Sequence, residues 1–392
     1  MKALWNIILI SFFLFVISVS SSSSQTAERS IVIGLNLPLS GAREAEGLIS
    51  RQGAELAATI INAQGGVKVN DTLYTVQYAY RDNKSSASES VAASIGLISK
   101  DQVVAVIGPI ASSTAIPAGN ICQSFKTPMI SPTSTNPKTT AGRDFVFRAI
   151  ALDTFQAEVL ADFAISEFQA KKAAVLYNIG SAYPKGLAEY FKASFESRNG
   201  PNSVVAFENF LSNEKDLSQQ LKRIVASDAD VLLVPQYANE IPSIVRQARA
   251  MGWTKTIFGG DGWESADLVA NCGDLCKGLY YGSHYSPDDT VGKEKEFVDA
   301  FQKQTGRLPN FYAALSYDAV NLLLTAISHL SVIDDNLVKT REMIKDQLAK
   351  IQDFMGVAGT MHMNKEGDPT KGAVIMKITD TGKLVAYKRI QP

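Results

Sequence analysis

The sequence predicts an α/β fold of two doubly wound, parallel-sheet lobes. Three observations carry this. Apolar strand-like runs alternate with amphipathic helical patterns, the signature of parallel sheets covered on both faces. The rhythm restarts near residue 150. The 392 residues are more than one ordinary core accommodates, and no low-complexity linker parts the halves. Short ordered crossings, which suit a hinge better than a flexible tether, are therefore expected.

In the first half, Ile31 to Leu37 reads as a buried strand and Gly47 to Ala63 as a helix with Ala54, Leu56 and Ala57 toward the core. Leu73 to Tyr80 is a strand, Ser88 to Ser99 a helix and Val103 to Ile107 a strand. A helix from Thr114 to Phe125 leads to the short run Pro128 to Ser131. In the second half, helices are expected at Thr154–Phe168, Lys185–Ser197, Leu217–Ala226 and Glu240–Met251. They alternate with strands at Ala173–Tyr177, Ser203–Phe207, Asp230–Val234 and Thr256–Gly259. The tail reads as helices Lys293–Gln304, Tyr312–Leu330 and Val338–Ile351. Strands Val374–Ile378 and Val385–Arg389 follow, joined by a Thr379–Gly382 turn.

A net charge of −1, with both signs interspersed, gives no electrostatic footprint for nucleic acid or an anionic membrane. Residues 1–27 carry Lys2, an apolar stretch from Ile7 to Val19 and then small polar residues, the pattern of a secretory signal peptide cleaved between Ser22 and Ala27. The apolar run is shorter than the roughly 20 residues of a spanning helix. Export brings the protein to an oxidising compartment, where Cys272 and Cys276, four apart, can close a small surface loop. A metal reading of the pair lacks the second Cys pair or His cluster it needs. Cys122 falls in a helical apolar pattern and reads as a buried thiol.

In open α/β sheets, ligands bind beyond the carboxyl ends of the strands. Those ends carry Pro38-Leu39-Ser40-Gly41, Gly108-Pro109-Ile110-Ala111-Ser112-Ser113 and Ser131-Pro132-Thr133-Ser134-Thr135-Asn136. Together they offer hydroxyls, backbone N–H groups and helix starts, which hold an anion such as a carboxylate. Each alone also reads as an ordinary cap, with Ser112 or Ser113 as the N-cap. In the second half, Asp261 sits between Gly260 and Gly262 at a strand end, placed either to receive an ammonium or simply to make a turn. Trp263 would wall the pocket, and Tyr183 and Tyr237 occupy matching loop positions. Enzyme signals are poor: the three histidines have no metal-ligand spacing, and there is neither a Gly-x-Ser-x-Gly elbow nor a phosphate-cradling glycine loop after the first strand. No catalytic residue, metal or cofactor is expected.

These loops, with Ile61-Asn62-Ala63-Gln64-Gly65-Gly66-Val67, Phe147-Arg148, Ala248-Arg249-Ala250-Met251-Gly252 and Tyr317-Asp318-Ala319, carry a family resemblance. The chain resembles the type I periplasmic binding proteins of the leucine/isoleucine/valine-binding family over about Ile31 to Ile390. The resemblance implies two lobes joined by three crossover segments: residues 28–150 with 285–358, and 151–284 with 359–392. It implies a carboxylate clamp from Ser112, Thr133 (largely through its backbone) and Thr135, with Asp261 on the α-ammonium and Tyr183 and Tyr237 as aromatic contacts. It also implies a periplasmic, monomeric receptor that hands an amino acid or close analogue to the membrane permease of an ATP-binding-cassette importer. The rivals are a binder of urea, short amides or aromatic acids, and a sensory ligand-binding protein, which would need a membrane segment and signalling domain. One departure stands out. In branched-chain binders the loop after the first strand helps wall an apolar side-chain pocket; here it continues Ala42-Arg43-Glu44-Ala45-Glu46. Those charges are either solvated or point inward toward a polar ligand side chain.

Overall fold

A computed structural model describes residues 29–265, 267–288 and 290–391. The signal peptide expected over residues 1–27 lies outside them. The first unit runs β1 (Ser30–Leu37), α1 (Glu44–Ala63), β2 (Val67–Val69), β3 (Thr72–Asp82), α2 (Ala87–Ser99), β4 (Ala105–Ile107), α3 (Ser112–Ser124), β5 (Met129–Ser131) and β6 (Val146–Arg148). The second runs α4 (Asp153–Phe168), β7 (Ala173–Asn178), α5 (Ala182–Asn199), β8 (Val204–Phe210), α6 (Ser218–Ala226), β9 (Val231–Leu233), α7 (Ile241–Ala250), β10 (Thr256–Gly259), α8 (Asp267–Cys272) and β11 (Tyr280–Ser283). The tail adds α9 (Gly292–Thr305), α10 (Phe311–Ser328), α11 (Leu337–Leu348), β12 (Phe354–Gly356), β13 (Gly359–Met363), β14 (Pro369–Thr370), β15 (Ala373–Ile378) and β16 (Leu384–Ile390).

Two main sheets result, ordered β2-β3-β1-β4-β5-β6 and β16-β15-β11-β10-β9-β7-β8. Their inner strands are parallel, and helices bury both faces, which is why β1 and β4 read as unbroken apolar runs. Three strands at the edges run antiparallel: β2 as a hairpin arm on β3, and β15 and β16 closing the second sheet. Strands β2, β6 and β11 to β14 are absent from the sequence-based expectation. Most span only two to five residues, too few to show a period. Helix α1 packs on α10, and Gly53 makes this possible: a Cβ there would lie 2.1 Å from the Ala313 carbonyl oxygen. Helix α10 is apolar and long enough to cross a membrane, but 78% of it is buried in this contact and its surroundings, so it serves as a core helix.

Strand order places the crevices. The winding reverses between β1 and β4 in the first sheet and between β7 and β9 in the second. Ligands of open α/β sheets bind at such switch points. The chain passes between the sheets at residues 149–152, at 284–288 with 290–291, and at 357–372. The last passage is anchored by Asp318 of α10, whose two carboxylate oxygens accept from the backbone N–H groups of Val357 (2.8 Å) and Ala358 (2.9 Å). Gly356 is required beside it, since a Cβ would meet Asp318 Oδ2 at 2.4 Å. Burial pushes this carboxyl up to about 6, against the pull of Lys371 and the two N–H donors. Replacing Asp318 by Ala strands two buried donors, each worth roughly 1.5–3 kcal/mol against a charged acceptor. Asp318→Ala is expected to lower stability by about 3 kcal/mol in denaturant titrations; a loss under about 0.5 kcal/mol contradicts the anchoring role.

Candidate functional site

Three loops of the first sheet converge at its carboxyl edge. Gly108, at φ +97°, lies so close to Asn36 that a Cβ would sit 2.3 Å from the Asn36 carbonyl oxygen. That tight exit from β4 sets the start of α3. Ser112 is the first residue of α3, not its cap: Ala111 takes the cap position and no side chain caps it. The Ser112 hydroxyl instead accepts from Ser134 Oγ (2.9 Å). The Thr133 hydroxyl donates to the Ile110 carbonyl (2.8 Å), which leaves its backbone N–H as the group on offer. Among the described residues, the N–H groups of Ser112, Ser113, Thr133 and Thr135 have no intramolecular partner. Orphan donors at the N-terminus of a 13-residue helix favour an anion.

Arg148 holds this edge in shape. It is fully buried; Nη1 donates to the Ser134 carbonyl (2.7 Å), and Nη2 to Asn136 O (3.0 Å) and Thr140 Oγ1 (2.8 Å). Its Nε lies 2.6 Å from Asp368 Oδ1. The Phe147-Arg148 pair therefore fixes the 133–136 loop and never meets the cleft. The Pro38–Gly41 turn is likewise structural. Leu39 N, Ser40 N and the Ser40 hydroxyl all bond Asp82 (2.9, 3.2 and 2.5 Å), so the Ser40 hydroxyl is not available to a ligand.

The second sheet contributes the opposite charge. Asp261 stands in a 3-10 turn after β10, is 3% exposed and has an unpartnered Oδ1. The flanking glycines are steric necessities: a Cβ on Gly260 would meet Gln156 Oε1 at 2.4 Å and Tyr183 OH at 2.6 Å, and one on Gly262 would meet Gln236 O at 2.6 Å. The Tyr183 hydroxyl accepts from the Gly262 N–H (2.9 Å). Tyr183 lies in the first turn of α5 rather than in the preceding loop, and its ring packs on Tyr237 at 5.1 Å.

Behind Asp261 lies a set of residues that sequence reasoning missed. Asp153, the first residue of α4, is fully buried with neither oxygen hydrogen-bonded, and the Thr135 hydroxyl stands beside it. Burial, and then the negative charge of Asp261, push the Asp153 carboxyl well above its ordinary range. His284 Nε2 is 3.6 Å from Asp261 Oδ2 and 3.1 Å from Gln156 Nε2. Asp153 and Gln156 lie one helical turn apart at the start of α4, directly after a crossing, and that position was the only available signal.

Ser112, Thr133, Tyr183, Tyr237 and Asp261 line one narrow, nearly filled space between the sheets. Arg43, Ile110, Phe311 and Tyr312 complete it. Thr135 lies just behind, against Asp153. Trp263 does not wall the pocket: it is fully buried, its Nε1 donates to Val234 O (2.8 Å), and it stacks on Tyr281 in the core. Two residues along a 3-10 turn its side chain leaves the opposite way from that of Asp261. Cys272 and Cys276 are disulfide-bonded, remote from the cleft, and Cys122 is a buried thiol. A wider groove of about 480 Å³ opens beside the crossings, lined by His284, Glu294 and Arg389. It shares none of the cleft's lining residues and none of its orphan donors.

The fold that carries this arrangement is matched by known proteins. The profile of the periplasmic binding protein family fits residues 30–383. The chain belongs to the periplasmic binding protein family. Among its relatives is the Leu/Ile/Val-binding protein homolog 3 of Brucella melitensis, 27% identical over 98% of this chain and 100% of that protein. The crystal structure of the branched-chain amino acid transporter substrate-binding protein LivJ of Streptococcus pneumoniae, in complex with isoleucine, is 31% identical. It superposes with a TM-score of 0.83 over 93% of this chain and 100% of its own. A leucine-binding protein LivK of Thermotoga maritima is 30% identical, with a TM-score of 0.83 over 92% and 99% of the two chains.

The acidic set makes this binding protein's stability pH-dependent. Burial raises Glu264 from 4.5 to about 7, with Asp261 adding to the effect. A carboxyl raised on folding stays neutral in the native state while its unfolded counterpart ionises. Its contribution is thus complete below about 4.5 and fades as pH climbs toward 7. Over that window Glu264 alone accounts for roughly 3 kcal/mol. Urea titrations of the ligand-free protein from pH 4.5 to 7.5 are expected to show stability falling with pH more steeply than in Glu264→Gln. Equal slopes for the two proteins would contradict the assignment.

Proposed function

We propose that this chain is an exported receptor that closes on an amino acid or a close analogue and delivers it to the permease of an ATP-binding-cassette importer. Its lobes are residues 28–150 with 285–358 and 151–284 with 359–392, and the signal peptide 1–27 is removed on passage to the periplasm. It acts as a monomer and as a binder, not an enzyme. Ser112 and the Thr133 and Thr135 N–H groups receive the α-carboxylate, Asp261 receives the α-ammonium, and Tyr183 and Tyr237 pack on the ligand from the second lobe. The single observation carrying this reading is the buried Asp261, with an unpartnered Oδ1, facing orphan N–H donors across the cleft. A zwitterion satisfies both.

The Leu/Ile/Val and isoleucine designations of the relatives support the amino-acid class. Binding costs the open form its hydration and gains charge-assisted hydrogen bonds that exist only when both lobes engage. Thermal-shift screening of the mature protein, refolded free of carried-over ligand, against the amino acids, urea, short amides and aromatic acids tests the reading. A ligand at 100 times its Kd adds about 2.7 kcal/mol. Some amino acids are expected to raise Tm, Asp261→Ala to abolish the effect and Ser112→Ala to weaken binding about tenfold. Stabilisation by amides or aromatic acids alone would overturn the role of Asp261.

A further inference from the structure

The loop after β1 delivers a cation into the cleft. Gly41, at φ +87°, approaches the Lys84 carbonyl so closely that a Cβ would sit 2.6 Å from its oxygen. With Asp82 clamping residues 39 and 40 and Ser85 Oγ accepting from Arg43 N (3.0 Å), the backbone is fixed up to Arg43. The Arg43 side chain turns inward: the residue is 8% exposed, its guanidinium carbon lies 3.5 Å from the centroid of the Tyr237 ring, and Nη2 donates to Tyr312 OH (3.1 Å). Nε and Nη1 are buried without any partner. Glu46, one turn along α1, and Glu240, near Tyr237, are the nearest carboxylates acting on it. Among the described residues neither comes within ion-pair distance. A buried guanidinium with two idle donors is costly unless an acceptor arrives.

The strand order says where that acceptor sits. Along the sheet the ligand-facing loops follow β1, β4 and β5 in that order, carrying Arg43, then Ile110 and Ser112, then Thr133 and Thr135. An amino acid whose carboxylate lies on the β4 and β5 loops points its side chain toward Arg43. We infer that Arg43 is the specificity-determining residue of this cleft and selects an amino acid with an acidic side chain. The inference rests on the amino-acid reading above and departs from what the relatives' names say they bind. Arginine is permanently charged, and its planar fork matches a carboxylate with two donors. Phe311 and the rings of Tyr237 and Tyr312 flank the guanidinium, sheathing the methylenes of such a side chain while leaving its end group to Arg43.

Isothermal titration of the refolded mature protein with L-glutamate, L-aspartate, L-glutamine, L-leucine and L-valine tests this, beside Arg43→Met and Arg43→Lys. Wild type is expected to prefer glutamate or aspartate. Arg43→Met should lose that affinity by about 100-fold or more and bind leucine better than wild type does. Arg43→Lys keeps the charge but loses the fork, so it should retain the acidic preference with affinity reduced about tenfold. Circular dichroism and Tm establish that each variant folds; if Arg43→Met does not, the wild-type preference and Arg43→Lys decide. A wild-type preference for leucine, valine or glutamine over both acidic amino acids overturns the inference and leaves the amino-acid reading standing. Binding of none of the five also overturns the inference, and the amino-acid reading falls with it only if no amino acid in the thermal-shift screen binds.

Discussion

The structure depends on one electrostatic fact: a buried carboxylate on one lobe faces orphan N–H donors on the other, and among the described residues the Asp261 Oδ1 and those donors have no hydrogen-bond partner. Asp261 cannot reach Ser112, and the pair of carboxylates at Asp261 and Asp153 is held without a lysine or arginine between them. An isolated pair of this kind is expensive to bury. The closed arrangement is therefore favoured by whatever molecule carries an ammonium and a carboxylate a short distance apart. Much of the remaining architecture serves that end. Arg148 fixes the donor loop, Gly260 and Gly262 let the Asp261 backbone lie against Tyr183 and Gln156, and Asp318 anchors one of the crossings between the sheets.

The cleft also separates two tasks spatially. On the proposed reading, the β4 and β5 loops and the β10 turn address groups common to every α-amino acid. The β1 loop, β9 loop and the start of α10 bring Arg43, Tyr237 and Tyr312 together, on the proposed reading at the part that differs between amino acids. In the proposed division Arg43 comes from one lobe and Tyr237 from the other, so on that reading their stacking forms only on closure. Cation–π contacts contribute roughly 0.5–2 kcal/mol, a modest bias that a ligand carboxylate would strengthen by occupying the idle donors.

The double-lobed fold was legible because its core strands are long apolar runs between well-patterned helices. What escaped was short or conditional on packing. Strands β2 and β6 have three residues each. Ser112 has the composition of an N-cap, yet Ala111 takes that position, because the hydroxyl is worth more to Ser134 inside the loop network. Asp261 was visible as a carboxylate between glycines, and the structure gives those glycines a steric reason. Trp263, two residues on, looked equally placed but belongs to the core: a single sequence does not reveal which face of a turn a side chain leaves from. Arg43 could be read either way, since only the Asp82 clamp and the Gly41 backbone decide that it points in. Asp153, Gln156 and His284 were unreadable, because their meeting at Asp261 depends on how two crossings dock.

Small-angle scattering of the ligand-free protein tests the central claim most directly. It should compare saturating amounts of the tightest-binding amino acid with those of its 2-oxo acid, which keeps the carboxylate and side chain but lacks the ammonium. The amino acid is predicted to shrink the radius of gyration and the oxo acid to leave the protein open, because only the former gives Asp261 a partner. Equal compaction by both would contradict the account.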